Sequence, residues 1–160
     1  MTPYNKVFSA FLAKVKEDDW AGEVDLDIIL ADWESILESA LPYFKFPRIS
    51  LARAAMTSDA EGIVTEGHFV NDLGDQEVQI IATLMKQEWL DRTINTWENV
   101  KVMYDERDFS QANLLSQFIK LLEREEKKAT RLQKIYSRSI QGEDGNRRAY
   151  KFGNLAGGDK

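Results

Sequence analysis

Apolar positions recur at helical spacing in four stretches of this chain, and the segments between them are acidic, polar or punctuated by Pro and Gly. Near the start, Tyr4, Val7, Phe8, Phe11, Leu12 and Val15 form one stripe, opened by Thr2 and Pro3 as an N-cap and first-turn pair and closing near Lys16. Residues 17–24 are acidic and contain Trp20 and Gly22, which predicts a connection whose indole tucks against the core. A second helix is predicted over residues 25–41, with Leu26, Ile29, Leu30, Trp33, Leu37 and Leu41 on one side. Ile28 and Ile36 widen its apolar arc, implying cover on more than one face, and Pro42 ends it. A third helix is predicted after Gly74, where Asp75 and Glu77 suit the positive end of a helix dipole. It runs through Val78, Ile81, Met85 and Trp89 to about Asp91, and Ile80 and Leu84 mark it as the central, most buried helix.

The fourth stretch, residues 108–140, is the longest and reads as one amphipathic helix of roughly 45 Å at about 1.5 Å per residue. Asp108 is a natural N-cap, Gln111 lies at capping-box spacing, neither Pro nor Gly interrupts it, and Gly142 supplies a stop. Leu115, Phe118, Leu122, Ala129, Leu132 and Tyr136 approximate a heptad seam that Glu125 breaks at an expected apolar position. The break favours packing within the subunit over a free coiled coil.

The remaining segments are less regular. Residues 42–73 hold Pro42, Pro47, Gly62 and Gly67 among the aromatics Tyr43, Phe44 and Phe46. Here the pattern predicts a short helix over residues 51–56 and a hairpin pairing Ile63, Val64 and Thr65 with His68, Phe69 and Val70 across Glu66 and Gly67. Residues 92–107 connect the third and fourth helices, with Trp97, Val100, Val102, Met103 and Tyr104 as packing groups at no regular spacing. The four tryptophans, Trp20, Trp33, Trp89 and Trp97, sit among aliphatics and read as core. Residues 142–160 are Gly-rich and polar, with Tyr150, Phe152 and Leu155 as their large apolar groups, the composition of a tail that orders on a partner. The predicted fold is mainly α: a compact helical bundle over residues 1–141 with one long C-terminal helix and a small β-hairpin, followed by a flexible C-terminal tail, 142–160.

Charge changes this picture more than overall composition does. Residues 1–109 carry 10 Lys/Arg against 21 Asp/Glu, residues 110–140 carry 7 against 3, and residues 141–160 carry 4 against 3. An acidic body therefore bears a basic helix. Two readings stand: a solvated face with internal pairing, such as Glu123 with Lys127, or one subunit's basic helix lying against another subunit's acidic surface. A sequence pI near 4.9, without a dense Lys/Arg tract interleaved with aromatics, argues against nucleic-acid binding.

Candidate chemistry is sparse. The chain has no cysteine, which removes disulfides, thiol nucleophiles and zinc-thiolate sites, and its one histidine, His68, reads as a loop or strand residue. No Glu-x-x-His spacing suggests a di-metal bundle, and the glycines of the tail form no phosphate loop. No nucleophile, base and oxyanion set can be named, so no catalytic, cofactor-binding or metal-binding residue is nominated. No apolar run approaches the roughly 20 residues of a membrane span, and the first residues lack signal-peptide order, so a soluble chain made in a cytoplasm is expected.

Two segments resemble the head-to-tail adaptor (connector, or head-completion) proteins of tailed bacteriophages. Residues 67–92, GHFVNDLGDQEVQIIATLMKQEWLDR, are similar to that family's aromatic and acidic lead-in to a helix ending in Glu-Trp-Leu. Residues 108–138, DFSQANLLSQFIKLLEREEKKATRLQKIYSR, are similar to its Phe/Tyr-Ser-x-Ala-Asn-x-Leu opening of a long charged helix. The resemblance covers about a third of the chain and does not extend past Ile140. It implies a structural virion protein, made in the bacterial host cytoplasm, that forms a ring in the phage neck, commonly twelve-fold, without enzymatic activity or cofactor. Its implied partners are neighbouring copies of itself, the portal protein, and the next neck or tail-completion protein. Packaged DNA would pass through the ring without sequence-specific binding, and no membrane is involved. Under this reading Arg147, Arg148, Tyr150, Phe152 and Leu155 of the tail contact the portal. An alternative from another class is a soluble helical regulatory module that binds one protein partner through its basic helix.

Overall fold

The computed structural model describes residues 1–15, 25–55, 57–58, 64–65, 67–101, 109–141 and 147–149. The fold is mainly helical. In chain order the elements are β1 (Thr2–Pro3), α1 (Tyr4–Leu12), α2 (Leu26–Ala40), a 3-10 turn (Leu41–Tyr43), β2 (Arg53–Ala54), β3 (Thr57–Ser58), β4 (Val64–Thr65) and β5 (His68–Phe69). They are followed by α3 (Asp75–Lys101), α4 (Phe109–Arg138), β6 (Ser139–Gln141) and β7 (Arg147–Ala149).

Helix α3 is the centre on which α1, α2 and α4 pack. Its Ile80, Ile81, Leu84 and Met85 meet Tyr4, Val7, Phe8 and Phe11 of α1, Ile36, Leu37 and Ala40 of α2, and Ala129 and Tyr136 of α4 in one buried cluster. Such a cluster follows from the 3.6-residue period, which sets side chains three and four apart on one face. Aromatic edges tighten it: Phe8 meets Trp33 at 5.6 Å between ring centroids, and Tyr4 meets Phe69 at 5.3 Å.

Several local expectations are corrected. Thr2 does not cap α1: Thr2 and Pro3 form a strand antiparallel to β5, Thr2 opposite Phe69. The Thr2 hydroxyl instead donates to Asp72 at 3.1 Å and accepts the Leu73 amide at 2.7 Å. Leu26 and Ile28 of α2 are 62% and 63% exposed, so neither has the expected cover, while Ile29 beside them is buried. Pro42 sits inside the 3-10 turn that extends α2, a place that tolerates its missing N–H.

The short helix expected over residues 51–56 is replaced by β2, which joins β1 and β5 in the order β1-β5-β2. The hairpin across Glu66 and Gly67 does not form. Val64 and Thr65 pair with Ser58 and Thr57, whereas His68 and Phe69 lie between β1 and β2. The Gly67 carbonyl accepts the Tyr4 amide at 2.9 Å, which carries the chain across to α1 instead of back on itself. Ile63 and Glu66 lie outside the described residues.

Helix α3 runs ten residues beyond the expected Asp91. Polar side chains support the extension by bonding back one turn: Thr93 to the Trp89 carbonyl, Thr96 to the Arg92 carbonyl, and Arg92 to Glu88 at 2.9 Å. Arg92 also reaches Ser39 of α2 at 3.0 Å, so polar contacts dock the segment beside the buried Ile94. Trp97 is 36% exposed and is not core, while Trp33 and Trp89 pack against the main cluster. Val102, Met103, Tyr104, Trp20 and the expected cap Asp108 lie outside the described residues. Helix α4 ends at Arg138, two residues early, because Ser139 and Ile140 pass into β6.

Candidate interaction surfaces

Helix α4 carries three distinct faces. Its inward face holds Leu122, Ala129, Leu132 and Tyr136, and the seam-breaking Glu125 lies on the same face, only 2% exposed. The carboxylate is held by the Lys86 ammonium of α3 at 3.3 Å and by Lys128 at 3.3 Å, with Arg124 at 3.7 Å. Burial pushes the Glu125 carboxyl up, but Lys86 and Lys128 outweigh it and hold the group below its ordinary range. Lys14, just past the end of α1, is depressed in turn by burial and by Lys128 and Lys86, with Glu125 opposing. Several cations thus converge on one carboxylate.

The second face is basic from Lys120 onward. Lys120, Arg124, Lys127, Lys128, Arg131, Lys134 and Arg138 are all exposed. At about 100° per residue they fall within an arc of about 120°, and no acidic residue of α4 shares it. Ile135, 49% exposed, is its large apolar group. The positive surplus is evident from a residue count, but its confinement to one flank needs the helical projection.

The third face borders a groove of about 590 Å³ whose floor is Leu84, Leu122 and Ala129. Glu88, Asp91 and Glu126 line it together with Lys45 and Lys134, and the aromatics Tyr43 and Phe46 stand at its rim. Phe46 is 79% exposed and has φ of 61°, a left-handed backbone that a bulky L-residue adopts only under constraint. The constraint lies on either side of it. The Lys45 amide donates to Gln133 at 2.7 Å, the Arg48 amide donates to the Tyr136 hydroxyl at 3.1 Å, and Phe44 packs edge-on to Tyr136 at 5.6 Å. Sequence reading grouped Tyr43, Phe44 and Phe46 without separating the buried ring from the exposed ones, since no period governs a segment held by its neighbours.

Arg48 completes this grip. Its guanidinium lies 4.5 Å from the centre of the Tyr136 ring and donates to the carbonyls of Tyr136 and Ser139, satisfying acceptors at the end of α4. Burial raises the Tyr136 phenol, opposed by the Arg48 amide and reinforced by Glu77. Gly74 leaves room for that arrangement, because a Cβ there would stand 2.7 Å from a Glu77 carboxylate oxygen.

The chain matches no family model, no curated protein and no solved structure. Of the expected tail contacts, Arg147 and Arg148 lie in β7, opposite Gln141 and Ile140, which brings the backbone at residue 149 beside Ser139 at the end of α4. Tyr150, Phe152 and Leu155 lie outside the described residues. His68 is the middle-strand residue of the small sheet, opposite Pro3 and Ala54. Among the described residues no three His, Cys, Asp or Glu side chains are grouped to hold a metal, and no helix is long and apolar enough to cross a membrane.

Proposed function

We propose that this chain is the subunit of a head-to-tail adaptor ring in the neck of a tailed bacteriophage. The ring docks on the portal, extends the DNA channel, and presents its far side to the next neck or tail-completion protein. The observation that carries the reading is α4: a thirty-residue helix whose flank from Lys120 to Arg138 is basic, mounted on an otherwise acidic body. A subunit whose opposite charges are segregated onto different faces suits head-to-tail contact repeated around an axis. An acidic body also suits a conduit that must let DNA slide past, since like charge opposes adhesion. The tail beyond Gln141 is the portal-binding segment in this proposal, with Arg147, Arg148, Tyr150, Phe152 and Leu155 as its contacts. The protein acts as a structural part and not as a catalyst.

The second reading, a regulatory module that binds a single protein, draws on α4 and the aromatic-rimmed groove beside it, a shape that suits an amphipathic helix. Quantitative mass spectrometry on purified tailed particles decides between them. About one copy of this chain per portal subunit supports the ring. Absence from particles rejects it and leaves the regulatory module.

A further inference from the structure

The last described strand brings the chain back to the groove beside α4. Strand β7 runs antiparallel to β6, which continues α4, so Ala149 stands opposite Ser139 and the chain heads back toward the helix it has just left. Residues 150–160 follow, outside the described residues, and at about 3.3 Å per residue they reach roughly 36 Å. From Ser139 to Leu122 along α4 is roughly 25 Å at about 1.5 Å per residue. The whole groove, with Ser137 at its near end and Leu122 and Glu126 at its far end, is therefore within reach.

Charge decides which side of α4 that segment meets. Residues 147–160 carry Arg147, Arg148, Lys151 and Lys160 against Asp159, and the basic flank repels them. The groove lies on another side of the helix and mixes Glu88, Asp91 and Glu126 with Lys45 and Lys134. Glu88 is bonded to Arg92 and Asp91 to Asn95, so Glu126 is the groove carboxylate without a partner among the described residues. Leu84 and Ala129 of the floor are nearly covered already, and the apolar surface on offer comes from the exposed Tyr43 and Phe46, the half-buried Leu122, and Ile119, which projects on the same side of α4 as Glu126 and Ser137. The constrained backbone of Phe46, fixed by the amide bonds of Lys45 and Arg48, holds its ring at the rim instead of turning it into the core.

We propose that the C-terminal segment of this chain docks in the groove of its own molecule, placing Tyr150, Phe152 and Leu155 against Phe46, Tyr43 and Leu122. Tyr150, Phe152 and Leu155 are the large apolar groups of the tail, and the groove is the apolar surface that lies in their path. The short tether selects the molecule's own tail, since it gives an effective concentration in the millimolar range, above that of a second copy in solution. A partner that takes either the tail or the groove must first separate them. Under the adaptor reading, on which this consequence alone rests, the portal competes with the groove for the same three side chains, and the tail is withheld until a portal is present.

The test is disulfide trapping in the full chain, which has no cysteine of its own, so an introduced pair can react only with itself. One variant joins Asn154→Cys to Thr130→Cys in the groove, and the control joins Asn154→Cys to Arg131→Cys on the basic flank. Residues 130 and 131 are both exposed and adjacent along α4 but about 100° apart around it. Closure is followed on non-reducing gels under mild oxidation at about 1 µM and about 50 µM protein, both far below the tethered concentration. The groove pair closes at least about tenfold faster than the flank pair, at a rate independent of protein concentration. Cations around residue 131 favour the thiolate there, so any bias in reactivity runs against this result. Adding Phe152→Ser and Leu155→Ser lowers the groove rate to that of the flank while circular dichroism stays unchanged. A groove pair that closes no faster than the flank pair overturns the docking. So do disulfide-linked dimers that increase with concentration, which would give the groove to the tail of a second copy. Preferred closure in the groove with the chain absent from particles keeps the docking and removes the adaptor, whereas portal stoichiometry in particles without preferred closure keeps the adaptor and removes the docking.

Discussion

Two buried polar side chains show how differently a hydroxyl and a carboxylate are accommodated in this core. The Tyr4 hydroxyl is fully buried with no hydrogen-bond partner among the described residues, and burial, with Glu34 and Glu38 assisting against Arg53, pushes its pKa up to about 12. An unpaired buried hydroxyl costs stability, so Tyr4→Phe is expected to leave stability unchanged or raise it by about 1 kcal/mol, read as an equal or higher midpoint in urea. Glu125 is the reverse case. Glu125→Leu strands the nearly buried Lys86 and is expected to cost about 3 kcal/mol, whereas adding Lys86→Met recovers most of that loss, because a well-packed apolar pair matches a buried ion pair. Equal losses in the single and double variants would place the cost in packing alone. The sign of the pH effect follows from a folded pKa below the ordinary 4.5. The contribution of Glu125 is complete above pH 4.5 and is lost as pH falls through the lower folded value. Glu125→Gln is therefore expected to flatten the acid limb of a stability profile.

At the level of elements, the end of α4 depends on a loop 88 residues earlier in the chain. Arg48→Ala removes a cation from the helix C-terminus together with its bonds to two carbonyls, and about 2 kcal/mol of destabilisation is expected. Hydrogen exchange should locate the effect, with protection lost over the last turn of α4 and retained in α3. Uniform loss throughout the chain would mean that the loop supports the whole core. The same contrast shows which elements the sequence made legible. Tyr4, Val7, Phe8, Phe11 and Val15 repeat at the helical period and are all buried, and Ile80 with Leu84 correctly marked α3 as central. Residues 92–101 extend the helix largely through Thr, Arg and Asn side chains bonding back one turn, and among their described side chains Ile94 alone is a buried apolar group, too little for a period to be read. Two-residue strands are beyond periodicity altogether: His68 and Phe69 were recognised as extended, but a pair of residues cannot name its partner strand. The surplus charge of α4 was plain as a count, and the break at Glu125 was seen; its remedy, Lys86, comes from another helix and is legible only in three dimensions.

For the whole molecule, the proposed ring separates a folded body from a binding tail, and the two can be tested apart. Deleting residues 142–160 removes β7 yet leaves Tyr136 and Ser139, the groups that Arg48 and Phe44 hold, so the helical body is expected to retain its circular dichroism and melting transition. The truncated chain should fail to join portal-containing particles. Normal incorporation would remove the tail from the portal contact. The grip of Arg48 on Tyr136 and Ser139 also bears on the order in which a ribosome delivers the chain. Phe44 and Arg48 precede their partners Tyr136 and Ser139 in the chain, so the growing chain holds an apolar ring and a cation in waiting while the residues between them are made. Helix α4 is translated after the loop that grips its end, and a nascent chain arrested before residue 136 leaves that seam open to chaperones and proteases.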